Sequence, residues 1–464
     1  MSKPLIPRGR LAAVRRANWA LLSLLASGAV LRLALIARSP GISFDVANLQ
    51  LVALRFVASP LHTYDVNLLP APFSVARWPY PPAALPLLAL IQEIARTTGV
   101  GFSRLVRLPL AAADLGICLL VYVTLAARGE SRRRCLSGAA LVALGPCFFF
   151  VSAVHGQIDA LAWLPGVAAV ALWERNTEPH RALLAGLLIG IGAAVKTVPI
   201  LLVIALLPTA RTRREASLLL VSAVALPLLA LLPFFATTPD GLRAVRDYRG
   251  VPGYAGLSLF AEPKLSYLFF RGAGPAFSSV VRVMRDNTTL MVAGPILAVG
   301  AVLWHRRVPA ARGAAALLLI FYVFSPIVLP QYFLWAAPFL LLAGYQRATA
   351  LYQLVLLPVL VASYLNQLLG RTSHFVVLNR DLLLYVYVPL VAIATLGFAV
   401  GVWLLVAGSG PSWRTGRGPH DRRVRTRREL PPVPPAPTDS GPRDRSTRGP
   451  GRAPPRRRSK PGSV

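Results

Sequence analysis

The sequence predicts an all-α polytopic membrane protein, a bundle of about 11–13 transmembrane helices. Three observations carry that prediction. Of 464 residues, 55% are hydrophobic and only 15% charged, a balance no ordinary soluble domain has. The apolar residues arrive in blocks near the length that crosses a bilayer. The linkers between those blocks sort by charge, as short loops on the two sides of a membrane do.

The elements follow in order. MSKPLIPRGRLAAVRR supplies a basic flank, and the run from Trp19 to Ile36 follows it. That run is too long for the core of a signal peptide and no small-residue cleavage site ends it, so it reads as a retained first span. Residues 1–16 are then a cytoplasmic N-terminus. Residues 38–80 form a first long outer loop. Within it, GISFDVANLQLVALRF (41–56) spaces Leu49, Val52, Ala53 and Phe56 as a helix does, a pattern that suits a helix lying on the membrane surface. Asp45 and Asn48 share one face of that helix, one turn apart.

Further apolar segments fall near 81–95, 104–127, 136–153, 158–173, 181–207, 217–236, 288–304, 312–328, 331–345, 350–369 and 383–407. Two adjustments keep inside and outside alternating. The 81–95 segment enters and returns without crossing. The 181–207 segment divides into two short helices near Lys196-Thr197-Val198-Pro199, where a proline follows the lysine closely enough to end a helix. Residues 237–287 form the second long outer loop, and 17–407 make one transmembrane domain.

The formal net charge of +32 would suit a nucleic-acid binder if it covered one face, and it does not. From Gly408 to Val464 the chain holds 15 of its 50 basic residues and 12 of its 41 prolines, the composition of a disordered cytoplasmic tail. RGESRRR (128–134), ERNTEPHR (174–181), TARTRRE (209–215) and HRRVPAAR (305–312) are basic or mixed and read as cytoplasmic. The scarce acids Asp45, Asp65, Asp159, Asp240, Asp247, Glu262, Asp286 and Asp381 fall in the other connections, on the extracytoplasmic side. Cys118, Cys135 and Cys147 lie in or beside apolar runs and form neither a disulfide framework nor a zinc spacing.

Candidate chemistry gathers at the outer boundary. RWPYPPAALPLL (77–88) closes the first loop, its double proline barring earlier helix entry and aiming an aromatic pair at the membrane surface. SAVHGQIDAL (152–161) sets His155, Gln157 and Asp159 where polar groups need partners. Acid–base work, a cation site, sugar hydrogen bonding and helix-end packing all fit His155 and Asp159. AGLLIGIGAAVKTVPI (185–200) carries Lys196, one of four lysines in the chain, either at headgroup depth or snorkelling. DYRGVPGYAGLSLFAEPKLSY holds Arg249, Tyr254 and Lys264, with Arg271 behind them. FSPIVLPQYFLWAAPFLL (324–341) brings Gln331, Tyr332 and Trp335 to a junction of two spans. Asp114, inside an apolar span, is expected to pair with Arg104 or Arg107.

Taken in order, the FD acid after the first span, the YPP step, HGQID, the glycine-rich helix ending in KxxP and SPxxxPQYxxW resemble the GT-C fold of membrane glycosyltransferases. The bacterial polyprenol-phosphate-mannose-dependent mannosyltransferases, relatives of the first mannosyltransferase of GPI anchors, are the nearest in style. The resemblance covers residues 17 to 407. It implies Asp45 as general base in a single inverting displacement, with Lys196, Arg249 and Lys264 at the donor phosphate. Asn48, Tyr80, His155, Gln157, Asp159, Tyr254, Gln331 and Tyr332 are the candidate substrate contacts. The implied partners are a polyprenyl-phosphate sugar donor, a glycan or glycolipid acceptor and the lipid bilayer. No nucleic acid, metal or other cofactor is expected. The chain has no DxD motif, which fits a lipid-phosphate donor rather than a nucleotide sugar. A transporter or flippase of a lipid-linked sugar, and an enzyme using arabinose or glucose on the same lipid, are the alternatives.

Overall fold

The computed structural model describes residues 8–69, 77–175, 180–248, 250, 252, 254–264, 278–369 and 380–408. The chain divides into two units, Met1–Pro411 and Ser412–Val464, and every described residue belongs to the first. Arg249, Arg271 and the basic tail lie outside the described residues.

The protein is an all-α polytopic membrane protein. Among the described residues, seven helices are long and apolar enough to cross a membrane, and three shorter apolar helices accompany them at 181–195, 198–209 and 310–324. Many large apolar side chains on these helices face outward, including Val221, Leu229 and Leu232 on one and Leu396 and Trp403 on another. In water that surface would be costly; in lipid it is the solvent-matched one.

Helix α1 spans Arg8–Arg38 and α2 spans Ser43–Ala58. Next come α3, Leu85–Thr98, and α4, Phe102–Ala127. Then α5 (Arg132–Ala143), α6 (Pro146–Phe149) and a π-helical turn at Phe150–His155 run on as one span. Helices α7 (Asp159–Arg175) and α8 (Arg181–Val195) follow. Past α8, Lys196 is extended at φ −152°, ψ 127°, and the chain resumes as short helices through Thr209. The 181–207 segment is therefore two pieces that meet at Lys196. The split costs little because Pro199 has no N–H to lose.

Contacts give this bundle two distinct ends. At one end the basic linkers meet: Arg128 pairs with Glu174, whose Oε1 accepts from the Ala311 amide at 2.8 Å. Beside it Arg181 pairs with Glu215 and stacks 4.4 Å from the Trp173 ring, while Arg307 donates to the Pro208 carbonyl at 2.5 Å. At the other end α1 finishes near α4, where Ser103 Oγ donates to the Pro40 carbonyl at 2.5 Å. Helix α3 covers the segment expected to enter and return without crossing, and it leads through Gly99 into α4 at this second end. It packs on α2, with Gln50 Nε2 donating to Gln92 Oε1 at 3.3 Å.

Two expectations for the first outer loop are corrected. The apolar face of α2 packs on protein, not on lipid: Leu49, Val52 and Ala53 are buried in a small core with Tyr64, Trp78, Leu85 and Leu88. Trp78 of the predicted membrane-facing aromatic pair is likewise buried, its backbone bracketed by Asn67, which accepts from the Trp78 amide at 2.7 Å and donates to the Trp78 carbonyl at 3.1 Å. A 3₁₀ segment at Pro60–Leu68 fills the place where bilayer was expected.

Asp114 is corrected too. Its partner is Arg32 of α1, at 3.1 Å, and Ser152 Oγ adds a hydrogen bond at 2.5 Å. Arg107 instead donates to four carbonyls: Ser103 at 2.7 Å, Ala153 at 2.9 Å, Ile36 at 3.2 Å and Ser39 at 2.7 Å. The last three are carbonyls left over where α1 and the π-turn end, so one guanidinium closes two helix termini at the head of the bundle.

Candidate active site

Two glycines aim the first cluster. Gly41 at φ +81° turns the chain out of α1, and Gly156 at φ +90° ends the π-turn. An L side chain rarely adopts either conformation. Between them the Ile42 amide donates to the His155 carbonyl at 3.0 Å, so the start of α2 is tied directly to the HGQID loop. That tie sets Asp45 against His155. Nε2 of His155 stands 2.7 Å from Asp45 Oδ2, and its Nδ1 stands 3.1 Å from the Tyr364 hydroxyl. His155 is buried, whereas Asp45 keeps 28% of its side chain exposed. A phenol donating to Nδ1 leaves Nε2 protonated and pointing at the carboxylate.

The same loop builds the second cluster two residues past Gln157. Asp159 receives both of its oxygens' hydrogen bonds from Lys196 Nζ, at 2.8 and 2.9 Å, and a third at 2.6 Å from Trp335 Nε1. Lysine and aspartate are both buried. Three aromatic rings surround the ammonium: Tyr80 at 5.1 Å, Tyr332 at 5.3 Å and Trp335 at 5.5 Å. Lys196 is thus no snorkelling side chain. Breaking the α7–α8 hairpin's return at Lys196 is what lets its side chain turn inward on Asp159.

Electrostatics join the clusters. The Tyr80 phenol is pushed well above its ordinary range by burial first, then by Tyr248 and Tyr332, and then by the charges of Asp159 and Asp45. The Tyr248 phenol is also raised, by burial and by Asp45, while Arg285 works against the rise. Between the clusters Gln157 is buried, and its Oε1 has no hydrogen-bond partner among the described residues. An acceptor hidden in that state is a candidate contact for a hydroxyl group.

Of the other predicted residues, Tyr332 joins the second cluster and the rest are placed variously. Asn48 accepts from Arg77 Nη1 at 3.1 Å, one turn past Asp45. Gln331 is buried, and Tyr332 stacks on Trp335 with ring centres 4.2 Å apart. Tyr254 serves a framework contact, its carbonyl accepting from Tyr387 at 2.7 Å while Ala255 bridges to Val328. Lys264 is largely exposed and pairs with Glu262 at 3.2 Å. Arg249 lies outside the described residues.

Sequence reasoning missed Tyr364, Tyr248 and Arg77. Tyr364 sits in a plain apolar run with nothing local to single it out. Arg77 stood in view, next to the WPYPP step.

The family model for glycosyltransferase family 87 matches residues 78–330, more than half of the chain. The chain belongs to glycosyltransferase family 87. No curated protein matches it. The family 87 match takes in Tyr80, His155, Gln157, Asp159 and Lys196. Asp45, Asn48, Gln331, Tyr332 and Tyr364 lie outside the matched span and reach the family 87 residues only through the fold. The protein is a membrane glycosyltransferase, and it must bind a sugar donor, an acceptor and the bilayer.

Proposed function

We propose that this glycosyltransferase moves a sugar, mannose foremost, from a polyprenyl-phosphate donor to an extracytoplasmic glycan or glycolipid. The observation that carries the reading is Asp45: a half-open carboxylate, held by a buried histidine, at the end of the bundle opposite the basic linkers. By the positive-inside tendency those linkers face the cytoplasm, which puts Asp45 outside with both ends of the 17–407 domain inside. An all-helical membrane body with a polar site at one end suits a donor whose lipid stays in the bilayer.

The reaction is one displacement. An acceptor hydroxyl attacks the anomeric carbon as the bond from that carbon to the phosphate oxygen breaks. Asp45 takes the hydroxyl proton, the electron pair of the broken bond leaves on the polyprenyl phosphate, and the configuration at the sugar carbon inverts. His155 donates to Oδ2 and fixes the carboxylate's orientation, which is where general-base efficiency is won or lost. Lys196, neutralised by Asp159, contributes an oriented N–H at the donor rather than net charge. Gln157, with its unpartnered buried Oε1, and Tyr80, beside Lys196, supply the contacts to the sugar hydroxyls.

The test uses the full chain in lipid vesicles with radiolabelled polyprenyl-phosphate mannose and a mannose-terminated glycolipid. A new, base-stable glycosidic bond of inverted configuration, with release of polyprenyl phosphate, is the expected product. Movement of the intact donor across the vesicle without bond formation would assign a flippase instead. Transfer from the arabinose- or glucose-bearing lipid alone would replace mannose in the proposal.

A further inference from the structure

We infer that Ser152, anchored by Asp114, is a positioning residue for the transfer reaction: it fixes the register of the turn that ends in His155. The inference rests on Asp45 acting as the base, and it gives a role to a buried acid that the reaction itself leaves unused. Asp114 and Ser152 are both fully buried. Arg32 Nε and Nη2 each stand 3.1 Å from Asp114 Oδ2, and Ser152 Oγ donates to that same oxygen at 2.5 Å. Oδ1 has no partner among the described residues. An arginine–carboxylate pair gains most when both oxygens are engaged. Here one oxygen is idle and the other is aimed at Ser152.

Ser152 lies inside the π-turn at Phe150–His155. Such turns are rare, and they are frequent at functional sites. In this one the Gly156 amide donates to the Val151 carbonyl, five residues back, at 3.0 Å. An α-helical register would take the Ser152 carbonyl instead, four residues back. Relaxing to it would rotate the residues that follow by about 100°. His155 Nε2 now lies 2.7 Å from Asp45 Oδ2, and a rotation of that size would part them.

The turn is fastened on both sides of Ser152. Before it, Arg32 donates to the Val142 carbonyl at 3.2 Å and to that of Ala143, where α5 finishes. After it, Arg107 donates to the Ala153 carbonyl at 2.9 Å, and the Ile42 amide donates to the His155 carbonyl at 3.0 Å. Asp114, on α4, holds the middle. The hydroxyl's other acceptor is the Phe148 carbonyl at 3.2 Å, one turn back in its own helix. The shorter bond to a charged group takes the proton, so Ser152 is tied to α4 and not to the helix behind it.

The test measures transfer by the full chain in lipid vesicles supplied with radiolabelled polyprenyl-phosphate mannose. Ser152→Ala removes the hydroxyl and leaves a good helix former. Its kcat should fall roughly ten- to a hundredfold at unchanged donor KM, the scale of a small misplacement near the reacting atoms. In a His155→Gln background the same change should cost no more than about twofold, because the residue it positions is gone. Ser152→Cys, with a weaker donor, should fall between wild type and alanine, and it serves in both backgrounds if Ser152→Ala does not fold. Native kcat in the Ser152 variants, a loss confined to KM, or an equal loss with and without His155 would overturn the inference alone. Native transfer by Asp45→Asn would overturn the base and the inference with it.

Discussion

His155 Nε2 and Asp45 Oδ2 stand 2.7 Å apart, joining the helix after the first span to a loop 110 residues later. The pair fixes one carboxylate oxygen and leaves the group open to the site. Replacing the base tests it directly. Asp45→Asn keeps the shape and removes the proton acceptor, and transfer should fall by roughly 10²–10⁴-fold. Insertion and yield in membranes should match the wild type. Product formed at the native rate would end the assignment.

Tyr364 should matter through His155. Tyr364→Phe keeps the ring stacked on Phe150, whose centre lies 5.4 Å away, and deletes the hydroxyl facing Nδ1. With one hydrogen bond worth about 1 kcal/mol, kcat should drop roughly fivefold at unchanged donor KM. His155→Gln should lose more. A Tyr364→Phe enzyme whose KM moves while kcat stays would place the hydroxyl on substrate instead of on the histidine.

The Lys196–Asp159 pair is buried, so removing one partner strands the other. Lys196→Met or Asp159→Asn should each destabilise the protein by about 3–5 kcal/mol. Together they should cost less than their sum, by about 0.5–3 kcal/mol. Unfolding midpoints of the three variants in one detergent give the coupling. Strict additivity would mean that the two charges do not depend on each other.

Two glycines allow backbone strain to be separated from crowding. A Cβ on Gly41 would stand 2.9 Å from Val46 Cγ2, and φ is +81°; at Gly99 φ is +72° and nothing lies within 4 Å. Either alanine variant should cost about 1–2 kcal/mol for the left-handed backbone. Gly41→Ala should also depress transfer, because it shifts the turn that delivers Asp45 to His155. Gly99→Ala should not. Equal activity in both variants would show that the Gly41 turn does not position the site.

Much of this architecture could be read from the chain because membrane helices announce themselves by length and polarity, and because Lys196 followed closely by Pro199 marks a break without any tertiary knowledge. The α2 helix was legible from the spacing of Leu49, Val52, Ala53 and Phe56. What covers its apolar face was not, since periodicity is blind to whether lipid or protein lies opposite. The same limit hid the partners. Asp114 had arginines two and three turns away in its own helix, yet its ion pair comes from Arg32, and Asp159 and Lys196 meet across 37 residues. Charges in a bundle find one another through space, and a local reading favours neighbours that point elsewhere. Asp45 stood out only because acids are scarce there; that it leans on His155, and His155 on Tyr364, needs three separate spans to be assembled.

The Arg32–Asp114 contact bears on how the protein is made. Arg32 sits about two turns inside the end of the α1 span, where hydrocarbon offers a guanidinium nothing to bond, and its carboxylate counterpart is translated some eighty residues later. The leading helix therefore cannot settle by itself. It has to linger beside the insertion machinery, or ride high in the bilayer, until α4 emerges and the two leave for the lipid as a matched couple.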